Sequence, residues 1–193
     1  MAIDESLRVT EPNGRASSQG EIQEMRLLGL DAMTKLRNHV PIAASGNRVE
    51  RRAIEAHDVL NEAYTYSRPS SFSRGLRVNL GTGTMLLISG TASIDEDGKS
   101  VHVGDFRAQL WRTYRNITSL LDAEGATWHD IVRTSCYLRD IERDYKDFNE
   151  VRTAFFDWLG LDPLPASTGI QARLCREELL VEIEAIAMLP AGR

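Results

Sequence analysis

The stretch Val181-Glu182-Ile183-Glu184-Ala185-Ile186-Ala187-Met188-Leu189 decides the fold. Val181, Ile183, Ala185, Ala187 and Leu189 share one face; Glu182 and Glu184 share the other with Leu180, Ile186 and Met188. A period of two sustained this long predicts a β-strand over Leu180–Leu189. The first face is wholly apolar and needs a core. The second mixes apolar side chains with carboxylates, so it is expected to be buried against other subunits.

Working outward, Ser167–Leu174 reads as a strand closed off by Pro163 and Pro165. Ile131–Arg139 is a third strand. There Val132, Thr134, Cys136 and Leu138 take one face, and Arg133, Ser135 and Tyr137 the other. Upstream, Leu76–Leu80 and Met85–Ser89 flank the turn Gly81-Thr82-Gly83. Two amphipathic helices separate these elements. Asp105 caps the first, whose stripe is Phe106, Leu110, Tyr114, Ile117, Leu120 and Leu121, with Gly125 as its stop. The second spans Asp144–Leu159, with Phe148, Val151, Phe155 and Leu159 inward and Gly160 as its stop. The order is ββ-α-β-α-ββ. Each helix has a single apolar stripe, so both cover one face of a sheet. The expected class is α+β, a mixed six-stranded sheet with two helices on one face.

The first part of the chain has a different texture. Residues 1–20 are polar and turn-rich and predict a flexible tail. Residues 21–68 predict a helical extension. One helix follows Ile22, Met25, Leu28, Ala32 and Leu36 and stops before Pro41. A second runs from about Val49 to Tyr64 on Ile54, Val59 and Leu60. Pro69-Ser70-Ser71 then opens the main domain, residues 69–193.

Composition narrows the function classes. The chain has 193 residues, 42% hydrophobic and 26% charged, which excludes wholesale disorder. No apolar run reaches the ~20 residues that span a bilayer, and the N-terminus lacks a basic-then-apolar leader, so no membrane partner and a cytoplasmic location are expected. The net charge of −5 argues against nucleic acid as a partner. Cys136 and Cys175 read as free thiols. There is no CxxC, HxH or HExxH, so neither a metal nor another cofactor is expected.

Glu182 and Glu184 project from the same strand face and fit a carboxylate acting as general acid and base in a subunit cleft. They equally fit solvated or salt-bridged strand carboxylates. Arg173, Arg176, Arg133 and Arg139 fit either recognition of an acidic substrate or ion pairs with those glutamates. Cys175 lines a pocket or packs structurally, with no histidine placed to activate it. Ser89-Gly90-Thr91 offers small residues after a strand, as a packed bend or as backbone donors for a ligand.

The residues from about Ser71 to Leu189 resemble the Rid/YjgF family of imine and enamine deaminases. Phe72-Ser73-Arg74-Gly75, Ile88-Ser89-Gly90-Thr91, Asn116-Ile117, Asp130-Ile131-Val132, Phe148-Asn149 with Ala154-Phe155-Phe156, and Val181 to Ala187 carry the likeness. The resemblance implies a chorismate-mutase-like fold and a homotrimer with a barrel-like centre. It implies clefts between subunits and hydrolysis of 2-imino or 2-enamine acids to oxo acids and ammonia, without a cofactor. Glu182 falls at the family's water-positioning glutamate. Ser89 and Gly90 match its pocket-lining pair, Asn149 its asparagine, and Phe72 stands where tyrosine is frequent. The family's carboxylate-binding arginine is absent: Pro165-Ala166-Ser167-Thr168 places Ala166 there. Another cation, Arg173 or Arg176 foremost, with Arg133 and Arg74 as further options, would have to hold the acid group.

Three stretches, Ser89–Ile94, Gly98–Asp105 and Cys175–Glu184, also resemble the chorismatases, in which a cysteine or alanine and a glutamate at this spacing line the site. The expected substrate is therefore a small-molecule carboxylate, an aminomuconate-like dicarboxylate among them. A chorismatase-like lyase or hydrolase, and a non-catalytic metabolite-binding regulatory trimer, are the alternatives. Some Rid proteins are labelled ribonucleases; the acidic charge and the lack of interleaved basic and aromatic residues speak against that here.

Overall fold

The computed structural model describes residues 49–192, apart from Asp58 and Arg68. The expected tail and first helix lie outside the described residues.

Six strands form one sheet: β1 (Arg51–Ala53), β2 (Gly75–Asn79), β3 (Gly83–Ala92), β4 (Ile131–Leu138), β5 (Ala166–Gln171) and β6 (Val181–Pro190), in the order β1-β2-β3-β6-β4-β5. All neighbours pair antiparallel except β4 and β5, which are parallel. The predicted alternation of the last strand holds: Val181, Ile183, Ala185, Ala187 and Leu189 are buried, and Glu182, Glu184 and Ile186 are partly open. With apolar residues on one face and ladders on both edges, β6 sits near the middle of the sheet.

Helix α1 (Phe106–Asp122) and helix α2 (Ile141–Leu159) cover the buried face. Asp105 accepts a hydrogen bond from the Ala108 N–H at 3.0 Å, as an N-cap should. α2 starts three residues earlier than its apolar stripe suggests, because Asp140 caps it through the Arg143 N–H. Gly160, at φ 65°, ends it in the left-handed conformation that glycine tolerates best. An aromatic cluster joins the two helices and the turn before β4: Tyr114 stacks on Phe155 at 4.5 Å, and Trp128 meets Phe155 edge-on at 5.0 Å.

Three expectations need correcting. The second N-terminal helix, Val49 to Tyr64, does not form: Arg51–Ala53 is the sixth strand, paired with β2, and Ala63–Thr65 is a single 3-10 turn. Ile54 and Leu60 are buried as expected, but they anchor a loop and not a helical stripe. Val132 is also not on the core face of β4. A bulge between Ile131 and Arg133 turns it outward, 47% exposed, while Ile131 and Thr134 face inward. The fifth strand stops at Gln171, short of the expected Leu174. Among the described residues no helix is long and apolar enough to cross a membrane.

Candidate active site

The face of the sheet away from the helices carries Leu76, Leu87, Ser89, Arg133, Ser135, Tyr137, Glu182, Glu184 and Ile186. Strand pairing sets what meets what: Tyr137 lies directly opposite Glu182, and Ser135 opposite Glu184. β3 has its own irregularity here. Ile88 pairs with Ala185 but Thr91 with Ile183, so Ser89 and Gly90 span a bulge beside Glu184. Bulges re-aim side chains and open room at sites.

That room is used. Glu182 folds its carboxyl against Gly90 so closely that a Cβ built on Gly90 would overlap it, at 3.0 Å from the carboxyl carbon. An open hollow of about 340 Å³ lies alongside, lined by Gly90, Tyr137, Ala172, Arg173, Leu174, Cys175, Glu182 and Glu184. Glu182 makes no hydrogen bond among the described residues. Burial holds its carboxyl above the usual carboxylate range, the neighbouring Glu184 charge adds to this, and Arg74 pulls it partly back. Glu184 differs, because the Tyr137 hydroxyl donates a hydrogen bond to its Oε1. It also borders a second hollow of about 360 Å³ with Ser89, Arg133 and Ser135.

The sequence-derived residues divide accordingly. Gly90, Arg173, Cys175 and Glu182 come together in one hollow. Cys175 is exposed there, and Arg173 is exposed with no hydrogen bond or ion pair among the described residues. Ser89 lines the adjoining hollow and donates its hydroxyl proton to the Ser73 carbonyl at 2.8 Å. Phe72, 42% exposed, packs against the Arg74 guanidinium at 5.1 Å. Arg176 is engaged elsewhere: it donates to the Gly98 carbonyl and, at 3.3 Å, to Ser100 Oγ. Asn149 sits on α2 and accepts from Arg152, which also reaches Ser167 Oγ on β5 at 3.4 Å. Neither Arg176 nor Asn149 lines the Glu182 hollow of its own chain. Arg74 is buried, donating to the Asn61 carbonyl at 3.1 Å and the Tyr66 hydroxyl at 2.7 Å.

Sequence reasoning put Tyr137 on the correct face but did not select it. The signal was its place opposite Glu182, which is a matter of register and not of either strand alone. Among the described residues no group of His, Cys, Asp and Glu is arranged to hold a metal ion.

A bulged mixed sheet with half-buried carboxylates on its open face defines a class of small-molecule site, and comparison with known proteins identifies the family. Residues 66–189 match the family model described as Endoribonuclease L-PSP, so the chain belongs to this family, also known as YjgF/Rid. A RutC family protein of Pyrococcus abyssi is 28% identical over 116 residues, covering 60% of this chain and 84% of that protein. The 3-aminoacrylate deaminase RutC of Acinetobacter baylyi is 30% identical over 103 residues, covering 53% of this chain and 78% of the relative. The crystal structure of the YjgF gene product from E. coli gives a TM-score of 0.57 at 25% identity, over 70% of this chain and 97% of that one.

Proposed function

We propose that the protein is a deaminase that hydrolyses an enamine or imine carboxylic acid to the oxo acid and ammonia, with Glu182 as acid and base. The observation that carries this reading is Glu182 itself: half-buried against Gly90, without a hydrogen-bond donor among the described residues, and held above the usual carboxylate range by burial. A carboxyl whose pKa is raised in a partly desolvated hollow is suited to donating and retaking a proton. Similarity to a relative named 3-aminoacrylate deaminase supports the same chemistry.

For an enamine the steps balance as follows. Glu182 gives its proton to the β-carbon, the C=C pair moves, and an iminium cation forms. Glu182, now a carboxylate, takes a proton from a water whose oxygen attacks the iminium carbon. The carbinolamine nitrogen takes a proton, the hydroxyl loses one, and the C–N bond breaks to release ammonia. Arg173, in the same hollow and without an ion pair among the described residues, is the cation that would hold the substrate carboxylate. Arg176 is committed to the loop at Gly98 and Ser100.

The apolar groups of the open sheet face, Leu76, Leu87 and Ile186, support assembly into a homotrimer, whose clefts would bring residues of a second subunit, Asn149 among them, toward Glu182. An aminomuconate-type dicarboxylate is the specialised substrate this reading favours, since Ala166 leaves the family's usual arginine position empty.

The test is ammonia release from freshly generated 2-imino acids, 3-aminoacrylate and 2-aminomuconate, with wild type and Glu182→Gln. Turnover of at least one substrate, reduced about 10²–10⁴-fold in the variant, is expected. Ammonia at wild-type rates from Glu182→Gln would overturn the assignment. Tight metabolite binding without turnover would favour the regulatory trimer, and pyruvate release from chorismate the chorismatase-like lyase.

A further inference from the structure

Helix α2 carries three cations, and two of them are paired: Arg143 with Asp144 at 2.7 Å and Lys146 with Glu150 at 3.9 Å. Arg152 has no carboxylate partner among the described residues, yet its guanidinium is held. It lies 4.8 Å from the centre of the Phe148 ring and donates to Asn149 Oδ1 and, at 3.4 Å, to Ser167 Oγ. We infer that Arg152 is a specificity-determining residue: across the subunit boundary it holds the second carboxylate of a substrate bound in the neighbouring subunit's Glu182 hollow. The inference rests on the proposed homotrimer and its dicarboxylate substrate, and it names the residue that selects such a substrate.

Charge sets the need. The hollow of one chain presents two glutamates and one arginine, Arg173, to a ligand. A dicarboxylate entering it meets a single cation, so a second must reach in from elsewhere. Most nearby arginines are already committed. Arg74 is buried on Asn61 and Tyr66, Arg139 donates to the Leu179 carbonyl at 2.6 Å, and Arg176 donates to the Gly98 carbonyl. Arg133 is exposed beside the adjoining hollow, and its hydrogen bond among the described residues goes to Thr168 Oγ1 at 3.2 Å. Arg152 is better preorganised. A ring face and two neutral oxygens fix its plane, and its remaining N–H groups are left for the matching fork of a carboxylate.

Placement makes the contact one between subunits. Ser167 belongs to β5, the last strand of the sheet, which pairs only with β4 among the described residues and is exposed along its whole length. Leu164 and Ile170, with Tyr145 lying against Gly169, leave apolar surface open at this edge. When the open faces of three sheets meet around an axis, their edge strands border the neighbouring subunits. Arg152 does not line the Glu182 hollow of its own chain. It is bonded to Asn149, so the closure that brings Asn149 toward a neighbour's Glu182 brings Arg152 with it.

The experiment is a calorimetric titration of the full chain with muconate, an unsaturated dicarboxylate, and with sorbate, the same carbon chain bearing one carboxylate. Wild type is expected to bind muconate the more tightly. Arg152→Gln should weaken muconate binding about 10–100-fold and leave sorbate binding unchanged. Light scattering on each variant reads its assembly. If Arg152→Gln dissociates, Arg152→Lys carries the test: it keeps the charge, loses the fork, and should keep only part of the preference. The subunit boundary has its own readout. In Arg152→Cys a short bis-maleimide should join two chains through the exposed Cys175, and Cys175→Ser should abolish the link. Equal binding of the two probes by wild type would overturn the inference. So would a muconate preference kept in Arg152→Gln, or one lost in Arg133→Gln alone, or the absence of links between chains. The titration needs no turnover. If Arg152→Gln loses the preference while wild type releases no ammonia from any substrate, the deaminase reading fails and the role of Arg152 stands.

Discussion

Glu124 and Glu182 are both withdrawn from water, and the molecule treats them in opposite ways. The Glu124 side chain is 1% exposed and fully answered. Arg52 of β1 grips both its oxygens at 2.7 Å, and Arg77 of β2 adds a third contact at 3.1 Å. Bidentate arginine pairing of this kind holds a carboxylate in one place. Its role is mechanical, tying the β1–β2 edge to the end of α1. Glu182 has the opposite surroundings: a glycine, a second carboxylate, and no donor among the described residues. Such an arrangement costs stability and is common where groups exchange protons. The comparison gives a criterion for telling structural from functional acids that relies on partners and not on burial.

The largest effects should come from Glu182, the proposed acid and base. Beyond Glu182→Gln, Gly90→Ala is the sharper probe. Nothing in the Gly90 backbone demands glycine, since its φ lies outside the left-handed region, so the added methyl acts through its overlap with the Glu182 carboxyl alone. Displacing that carboxyl by about an ångström should cost roughly 10²-fold in activity. The melting temperature should change far less. A variant that loses stability and activity in proportion would show that Gly90 serves packing first.

The structural member should respond in the reverse way. Glu124→Gln removes the negative charge that Arg52 and Arg77 share at this position. Arg52 is 60% exposed and can re-solvate, so the expected loss is about 1–3 kcal/mol, below that of a fully enclosed pair. Activity per folded molecule should stay at the wild-type level. Denaturant melts alongside ammonia-release rates would check both. A large drop in turnover without a drop in stability would erase the contrast between the two glutamates.

The Glu182 half of this contrast was legible in the sequence; the Glu124 half, which depends on the β1–β2 edge meeting the end of α1, was not. The alternation from Val181 to Leu189 placed Glu182 and Glu184 on the open face, and the stripes of the two helices fixed which face they cover. The Ser89-Gly90 and Cys175 matches brought the hollow's other side into view. What stayed hidden has a common physical origin. Arg51–Ala53 is too short and too charged to signal a strand, and its identity comes from pairing with β2. The spacing of Ile54 and Leu60 matches a helix by coincidence. Val132 breaks its strand's alternation at a bulge, and Ser89-Gly90 forms another, both products of register with β6. Tyr137 joined the site only through that same register. Periodicity encodes which face a residue takes; pairing encodes its neighbour, and one sequence does not display pairing.

The smallest expected effect is a pH dependence of stability, and its sign follows from the direction of the Glu182 shift. Its carboxyl is held above the ordinary value of 4.5, so the folded state binds this proton more tightly than the unfolded chain does. The resulting stabilisation is fully present below the unfolded value and is lost as the pH rises through the folded one. Relative to Glu182→Gln, which never ionises, wild type should therefore be less stable at neutral pH. The two should converge as the pH falls below the carboxylate range. Thermal melts of both proteins from pH 4 to 8 would show it as a difference in melting temperature that grows with pH and then levels. Were the gap to widen instead on acidification, Glu182 would be stabilised as an anion, and the contrast drawn between the two acids would collapse.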